Sequence, residues 1–364
     1  MKKIENKLFY FIAGEPSGDL HAANIMSNLK QRGEQSFSFR GLGGPLMEKN
    51  GLVPLDDFNR LSVMGFSEIF KDVLFFINLK KKIIKDVLYQ KPDKIVLIDY
   101  PGFNLSLAKS LKACCNIPII YYISPQVWAW KENRIKNIKK YIDELVVIFP
   151  FEVSWYQKRG VHVKYFGHPL IDLYKKQSFN NKLFCVGIFL GSRTQEIDKH
   201  APVVKGVIKI LEKNIKNVFF IIGSLKHNSK QIVESLGLQN NYRVVYDSFS
   251  AFDESNVAIV ASGTATLECA ITKTPFVVIY KTSFISWAIT RFFVKIDFAS
   301  IVNILAKKLL VEECLQNNCS VEKVAYHVLR LARNNDKNIN FDNVINQLGD
   351  GSAYKQMSRF LLSE

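Results

Sequence analysis

The stretch Val257-Ala258-Ile259-Val260-Ala261-Ser262-Gly263-Thr264-Ala265-Thr266-Leu267-Glu268 decides the fold. An apolar, β-branched run gives way to small residues and then to a helix-like segment. It reads as a buried strand, a tight turn and the opening of a helix. Free N–H groups at such a helix start, with no bulky side chain in the way, suit a phosphate. A carboxylate one turn further in, Glu268, suits the hydroxyls of a ribose. A second stretch of this kind, Gly14-Glu15-Pro16-Ser17-Gly18-Asp19, follows the strand-like residues 8–13. Two glycine-bearing turns far apart in one chain point to two similar halves, expected to face one cleft.

The rest of the chain supports that reading. Strand-like runs fall at residues 8–13, 37–42, 94–98, 117–123, 144–148 and 163–166. They resume at 185–190, 218–222, 242–246, 257–260 and 276–280. Most are short and apolar on both faces, and helical segments separate them. This is the pattern of parallel sheets covered on both sides by helices. The expected fold class is α/β, with two Rossmann-like, doubly wound domains. Ligands of such sheets bind beyond the carboxyl ends of the strands, where both glycine turns fall. The expected domains are 1–170 and 171–344, with the polar stretch 175–182 as a surface loop or linker. A last helix within 345–364, capped by Ser352, is expected to pack back on the first domain or on a partner subunit.

Composition narrows the class. The chain has 364 residues, 48% of them hydrophobic and 23% charged, which suits a folded two-domain protein. No apolar run reaches the ~18–20 residues that span a bilayer. The apolar run behind Met1-Lys2-Lys3 reads as a first strand and not as a signal sequence, so a cytoplasmic protein is expected. The six cysteines form no CxxC pair and read as buried free thiols, and the six histidines show no metal spacing. No metal or redox cofactor is expected. The net charge of +16 suits phosphorylated substrates, an anionic membrane or nucleic acid, or is simply a solvated basic face.

Several residues sit where chemistry is done. Asp99 ends the strand 94–98 and reads either as a general base or as a turn aspartate before Pro101. Glu15 reads as an acid that orients a sugar hydroxyl, as the base in place of Asp99, or as a first-turn acid favoured by the helix dipole, and Ser17 as a helix cap. Arg193, in Gly191-Ser192-Arg193, suits a diphosphate or is an exposed loop arginine. Gly41-Leu42-Gly43-Gly44-Pro45 lacks the full dinucleotide spacing, and no GxxxxGK[ST] segment exists. A nicotinamide enzyme and a nucleotide triphosphatase are therefore disfavoured. Phe66, Ile69, Phe70, Val73, Leu74, Phe76 and Ile77 form a wide apolar stripe followed by Lys80-Lys81-Lys82. It reads as a face lying on an anionic membrane or as a core-facing helix. A second aromatic and basic patch includes Trp287, Arg291, Phe292, Phe293, Lys295 and Phe298.

These motifs together resemble lipid-A-disaccharide synthases, inverting glycosyltransferases of the two-Rossmann B type. The resemblance includes Ala13-Gly14-Glu15-Pro16-Ser17-Gly18-Asp19, Val63-Met64-Gly65-Phe66-Ser67-Glu68 and Ile98-Asp99-Tyr100-Pro101-Gly102-Phe103-Asn104. It also includes Phe149-Pro150-Phe151-Glu152, Gly167-His168-Pro169 and Gly191-Ser192-Arg193. Its most specific element is Ser124-Pro125-Gln126-Val127-Trp128-Ala129-Trp130. The resemblance implies a UDP-2,3-diacylglucosamine donor and a 2,3-diacylglucosamine 1-phosphate acceptor. They would yield a β-1,6-linked disaccharide phosphate and UDP, for lipid A biosynthesis. It implies Asp99 as base and Glu15 as an active-site acid. Arg193, Ser192, Ser262, Gly263, Thr264, Glu268 and Asn303 would lie on the nucleotide and phosphate side. Ser17, Asn104 and Gln126 would be substrate contacts. It further implies a peripheral place on the inner membrane face, through the Phe66 to Ile77 stripe, and either a monomer or a homodimer exchanging C-terminal segments. No nucleic-acid partner is implied. Two positions depart from the family, which commonly has proline where Leu190 and Val302 stand. The competing readings are another UDP-sugar transferase, a UDP-sugar epimerase, or a basic module without catalysis.

Overall fold

Runs that are apolar on both faces have one common use, as parallel strands covered by helices on either side. The computed structural model describes residues 6–32, 36–58, 73–179, 183–283, 297–333 and 339–363. The chain divides into two units, one of Met1–Asp172 with Leu348–Glu364 and one of Leu173–Gln347, and each is built on its own sheet.

The strands of the first unit are β1 (Asn6–Ala13), β2 (Ser36–Leu42), β3 (Leu52–Pro54), β4 (Lys94–Ile98), β5 (Ile119–Tyr122), β6 (Glu144–Val147) and β7 (Val163–Tyr165). They lie in the order β3-β2-β1-β4-β5-β6-β7, and all pairs are parallel. The second unit has β8 (Phe184–Phe189), β9 (Val218–Gly223), β10 (Tyr242–Val245), β11 (Val257–Ala261), β12 (Phe276–Tyr280) and β13 (Glu313–Leu315). Their order is β10-β9-β8-β11-β12-β13, again all parallel. Two of the four edge strands among the described residues, β3 and β13, escape a reading by pattern. Each has three residues, β3 carries Pro54 and β13 begins with a glutamate.

Strand order reverses once in each sheet, between β1 and β4 and between β8 and β11. There the chains leaving neighbouring strands turn to opposite faces and open a crevice at the carboxyl ends. Ala13 pairs with Ile98, so Gly14-Glu15 and Asp99-Tyr100 leave the first sheet side by side. Val260 pairs with Phe189, so Ser262-Gly263 and Leu190-Gly191 do the same in the second.

Local chemistry sets the helix starts. Proline opens Pro16–Lys30, Pro45–Lys49, Pro101–Lys112 and Pro150–Gln157, where its missing N–H costs nothing. Ser17 is no cap: Glu15 holds that position and Ser17 is an exposed residue of the first turn. Asp19, buried beneath this turn, accepts from Gly44 N (2.9 Å), Leu46 N (3.1 Å) and Met47 N (3.0 Å), capping Pro45–Lys49. The helix Val73–Gln90 is tied to the sheet through Asp86. Its carboxylate accepts from Arg40 at 2.6 and 2.8 Å and from Tyr10 Oη at 2.8 Å.

The chain ends in two helices that belong to different units. Asp342–Gln347 stays with the second, and Ala353–Leu362 packs on Pro16–Lys30 in the first. Ser352 stands at the N-cap of the last helix but makes no capping bond. The Asp172 carboxylate takes the Ala353 and Tyr354 N–H groups instead, at 3.1 and 2.9 Å. Tyr354 Oη pairs with His21 Nδ1 at 2.7 Å, and Ser358 Oγ donates to the Ile25 carbonyl at 3.1 Å.

All six cysteines are free. Four are buried, but Cys114 is exposed and Cys115 half-buried, against the expectation that all would be buried. Among the described residues no helix is long and apolar enough to cross a membrane.

Asp19→Ala would strand the two buried N–H groups of Gly44 and Met47 and the part-buried one of Leu46. We expect it to lower unfolding free energy by about 2 kcal/mol, since an unsatisfied buried group costs ~1–3 kcal/mol. Urea melts would show this, and an unchanged midpoint would deny Asp19 its structural role.

Candidate active site

In the first unit the site grows from the turn after β4. Asp99 and Tyr100 both have left-handed backbones, with φ of 45° and 50°. Such residues typically cost of order 1–3 kcal/mol each and persist only where neighbours hold them. Here the neighbours are identifiable. Asn104 Nδ2 donates to the Asp99 carbonyl at 2.7 Å and to the Ile98 carbonyl at 3.2 Å. Tyr121 Oη donates to the same Asp99 carbonyl, and Asp99 N donates to Tyr122 O at 3.0 Å. The Tyr100 ring lies on Gly14, where a Cβ would meet ring carbon Cδ1 at 2.6 Å. Only glycine allows this approach.

Burial first, and the Glu15 charge second, push the Asp99 carboxyl up to about 6 against the opposing Tyr100 backbone N–H. A carboxyl near 6 is a usable base at neutral pH. Glu15 lies at the N-cap of Pro16–Lys30, at the carboxyl end of the neighbouring strand. Asn104, expected as a substrate contact, is fully buried and holds the Asp99 turn by its backbone instead. Gln126 and Ser17 are exposed at this end of the sheet.

The Ser124 to Trp130 run leaves β5 beside that turn and begins just after Ile123, itself left-handed at φ 64°. It is braced on the helix Pro150–Gln157. Trp128 Nε1 donates to Glu152 Oε1 at 3.1 Å, and Trp128 meets the Phe151 ring edge-on at 4.9 Å. Ser124 Oγ and Tyr156 Oη share a 2.6 Å bond. Glu152 also accepts from Phe149 N (2.9 Å) and Ile148 N (3.2 Å), and burial lifts its carboxyl to about 8. The run and the Phe149-Pro150-Phe151-Glu152 motif, separate in sequence, are one structural piece. Nearby, burial holds the imidazoles of His21 and His168 at about 4 and about 3, so both are neutral.

In the second unit, Gly263 caps the helix Thr264–Ile271, and both Gly263 and Thr264 are exposed. A Cβ added at Gly263 would meet nothing within 4 Å, so the helix start is open. Ser262 Oγ donates to Ala299 O at 2.8 Å. Arg193 is 72% exposed and pairs with Glu196 at 3.0 Å across the first turn of Thr194–Asn214. Ser192 is exposed, and its carbonyl accepts from Asn228 Nδ2 at 3.2 Å. Gly191 has φ 104° and lies against Glu196. Burial raises the Glu268 carboxyl to about 7, opposed by a hydrogen bond with Ser248 and helped by the Asp247 charge.

Asn303, expected to contact the nucleotide, is fully buried and fully bonded. It donates to Val311 O (2.9 Å) and Glu313 Oε1 (2.8 Å) and accepts from Leu310 N (2.8 Å) and Val311 N (2.9 Å). No donor or acceptor is left for a ligand, so it positions loops. Glu313 completes the clamp by accepting from Ala299 N and Ser300 N, both at 2.9 Å. His200 is a further positioning residue that pattern does not reveal. Its Nδ1–H donates to Leu190 O at 2.8 Å, and its Nε2 accepts from Lys281 N at 3.0 Å.

Of the apolar stripe, Phe66, Ile69 and Phe70 lie outside the described residues, and Val73 only opens the helix Val73–Gln90. Phe76 is half-buried against the core, whereas Leu74 is 74% and Ile77 40% exposed. Lys80 to Lys82 lie inside this helix and not behind it, and Lys82 pairs with Asp56 at 2.9 Å. In the second patch Phe298 is half-buried, and the others named there lie outside the described residues.

The raised carboxyl of Asp99 makes a stability prediction. The folded chain holds a proton there that the unfolded chain releases near its ordinary 3.8. That contribution is complete below the unfolded value and is lost as pH rises through about 6. Asp99→Asn is therefore expected to be more stable than wild type at pH 8, with the gain shrinking at pH 5. Chemical denaturation at both values checks this, and a destabilised variant at pH 8 would contradict it.

Comparison with known proteins agrees with this geometry. Residues 9–359 match the family described as lipid-A-disaccharide synthetase. Lipid-A-disaccharide synthase 1 of Legionella pneumophila strain Lens is 34% identical over 350 residues, 93% of this chain and 90% of that protein. The lipid-A-disaccharide synthase of Trichlorobacter lovleyi is 33% identical over 381 residues, 98% of this chain and 97% of its own. Among solved structures, UDP-GlcNAc 2-epimerase from Neisseria meningitidis bound to UDP-GlcNAc aligns with TM-score 0.67 at 12% identity, covering 99% of this chain and 100% of that one. The calicheamicin glycosyltransferase aligns with TM-score 0.63 at 12% identity, covering 99% and 98%. At such identities the structural likeness speaks for the fold alone, which is that of B-type glycosyltransferases. The chain belongs to the lipid-A-disaccharide synthetase family.

Proposed function

We propose that this chain transfers 2,3-diacylglucosamine from its UDP ester to the primary hydroxyl of 2,3-diacylglucosamine 1-phosphate, inverting the anomeric carbon. The observation that carries this is Asp99. A carboxylate at the carboxyl end of β4, next to the reversal of strand order, is raised to about 6 by burial and by Glu15.

In this reading the first unit takes the acceptor. Asp99 accepts the hydroxyl proton while the oxygen attacks the anomeric carbon. The bond from that carbon to the diphosphate oxygen breaks, and UDP leaves with the electron pair. Nothing is oxidised or reduced. The second unit takes the nucleotide. The open N–H groups at Gly263 and Thr264 face the charge of the leaving diphosphate, and the exposed Arg193 exchanges its partner Glu196 for a phosphate. That exchange is cheap, because an exposed ion pair is worth ~0–1 kcal/mol. A charge-assisted bond to phosphate is worth ~1.5–3 kcal/mol. Glu268 accepts from the ribose hydroxyls.

Acyl chains on both sugars call for a greasy, basic surface. Leu74 and Ile77, with exposed Lys81 on the same helix, supply one for an anionic membrane face.

Mass spectrometry of a reaction with both acylated sugars should find UDP and the disaccharide phosphate, and none with the UDP-sugar alone. A product from donor alone would indicate an epimerase. Asp99→Asn should lower turnover at least about a hundredfold with donor binding kept, and near-normal turnover would remove Asp99 as base. Binding of UDP, followed by calorimetry, should tighten as pH rises through about 7, where Glu268 ionises. Glu268→Gln should flatten that dependence, and an unchanged slope would take Glu268 off the ribose.

A further inference from the structure

The acceptor assigned above carries a phosphate, and the first unit must hold it beside two carboxylates, Asp99 and Glu15, that repel it. A cation is needed at this end of the sheet. His21, half-buried, and His168, buried, lie there but are neutral. The turn that follows the Ser124 to Trp130 run carries Lys131 and Arg134. Trp130 is 45% exposed, with Lys131 Nζ 4.2 Å and the Arg134 guanidinium carbon 5.7 Å from its ring centre. Glu132, the acid of this turn, is taken by Arg159 at 2.6 Å, and Arg159 stacks on Trp155 at 3.8 Å. Among the described residues no carboxylate pairs with Arg134, which is half-buried.

The turn is also close to the reacting end. Asp99 N bonds to Tyr122 O, so the chain that leaves β5 emerges beside Asp99. Tyr121 Oη holds the Asp99 carbonyl and feels the charges of both Asp99 and Arg134. The brace from Glu152 to Trp128 keeps the run from shifting. A half-buried guanidinium with no carboxylate partner among the described residues is free to take an anion. A phosphate monoester fits its planar fork.

We propose that Arg134, assisted by Lys131 on the Trp130 ring, is the subsite for the anomeric phosphate of the acceptor. The proposal rests on the acceptor reading above and adds the residues that select a phosphorylated sugar over a neutral one. With the phosphate anchored here, the far side of the sugar ring, which bears the primary hydroxyl, is turned toward Asp99.

Initial-rate kinetics with short-chain acceptors test it. Arg134→Ala should raise the acceptor KM at least about tenfold, the scale of one lost charge-assisted bond. Donor KM and kcat at saturating acceptor should stay within about twofold. With 2,3-diacylglucosamine lacking the phosphate, wild type and variant should behave alike. Equal losses on both acceptors, or an unchanged KM, would overturn the subsite. If the alanine variant does not fold, Arg134→Lys serves. It keeps the charge without the fork and should give an intermediate KM for the phosphorylated acceptor only. Binding to phosphatidylglycerol vesicles should be the same in wild type and variant, and a loss there with unchanged acceptor KM would reassign Arg134 to lipid headgroups. Wild type that forms no UDP from the two sugars would instead sink the reaction itself.

Discussion

Asp99 stands in a backbone conformation that it would not adopt alone. Two consecutive left-handed residues at the end of β4 turn its carboxyl out of the sheet and toward Glu15, and the strain is borne by the Asn104 amide, the Tyr121 hydroxyl and the ring of Tyr100 on Gly14. Everything chemical in the first unit depends on that clamp. It sets where the Asp99 carboxyl sits, and the burial it imposes raises the pH at which that carboxyl ionises. The neighbouring run from Ser124 to Trp130 is held by an equivalent brace, with the buried Glu152 as its anchor.

The second unit solves a different problem by a related device. The groups proposed to face its ligand are backbone N–H groups and the exposed Arg193, which need loops of fixed shape beneath them. Buried polar side chains supply the shape. His200 ties the end of β8 to the end of β12, and Asn303 with Glu313 ties the start of Ile301–Ala306 to the chain entering β13. Each is satisfied by protein partners, as buried polar groups must be. The open helix start at Gly263 and Thr264, and the exposed Arg193 with its partner Glu196, are the groups proposed for a diphosphate.

The sequence was legible where one local rule acted without competition. The bounds of β4 and β12 follow from their apolar runs, and Pro45 and Pro101 open helices as their fixed backbone angle requires. It was misleading where a side chain's partner came from elsewhere. Ser17 and Ser352 look like caps, yet Glu15 occupies one N-cap and Asp172, 181 residues before Ala353, supplies the other acceptor. Asn104 and Asn303 sit in motifs that suggest ligand contact, and both turn inward. A motif records that a residue type is needed at a place and not the direction in which it points.

By itself the sequence determined the alternation of parallel strands and helices, two Rossmann-like halves, the loops that hold the candidate site residues and the family resemblance. These depend on periodicity, turn residues and short motifs, all of which act over a few neighbours. Only the tertiary structure decided that Asp99 is strained, half-buried and raised toward neutrality, that His21 and His168 are neutral, and that Arg134 has no acid partner among the described residues. Burial and charge balance are sums over residues far apart in the chain, so no window of sequence contains them.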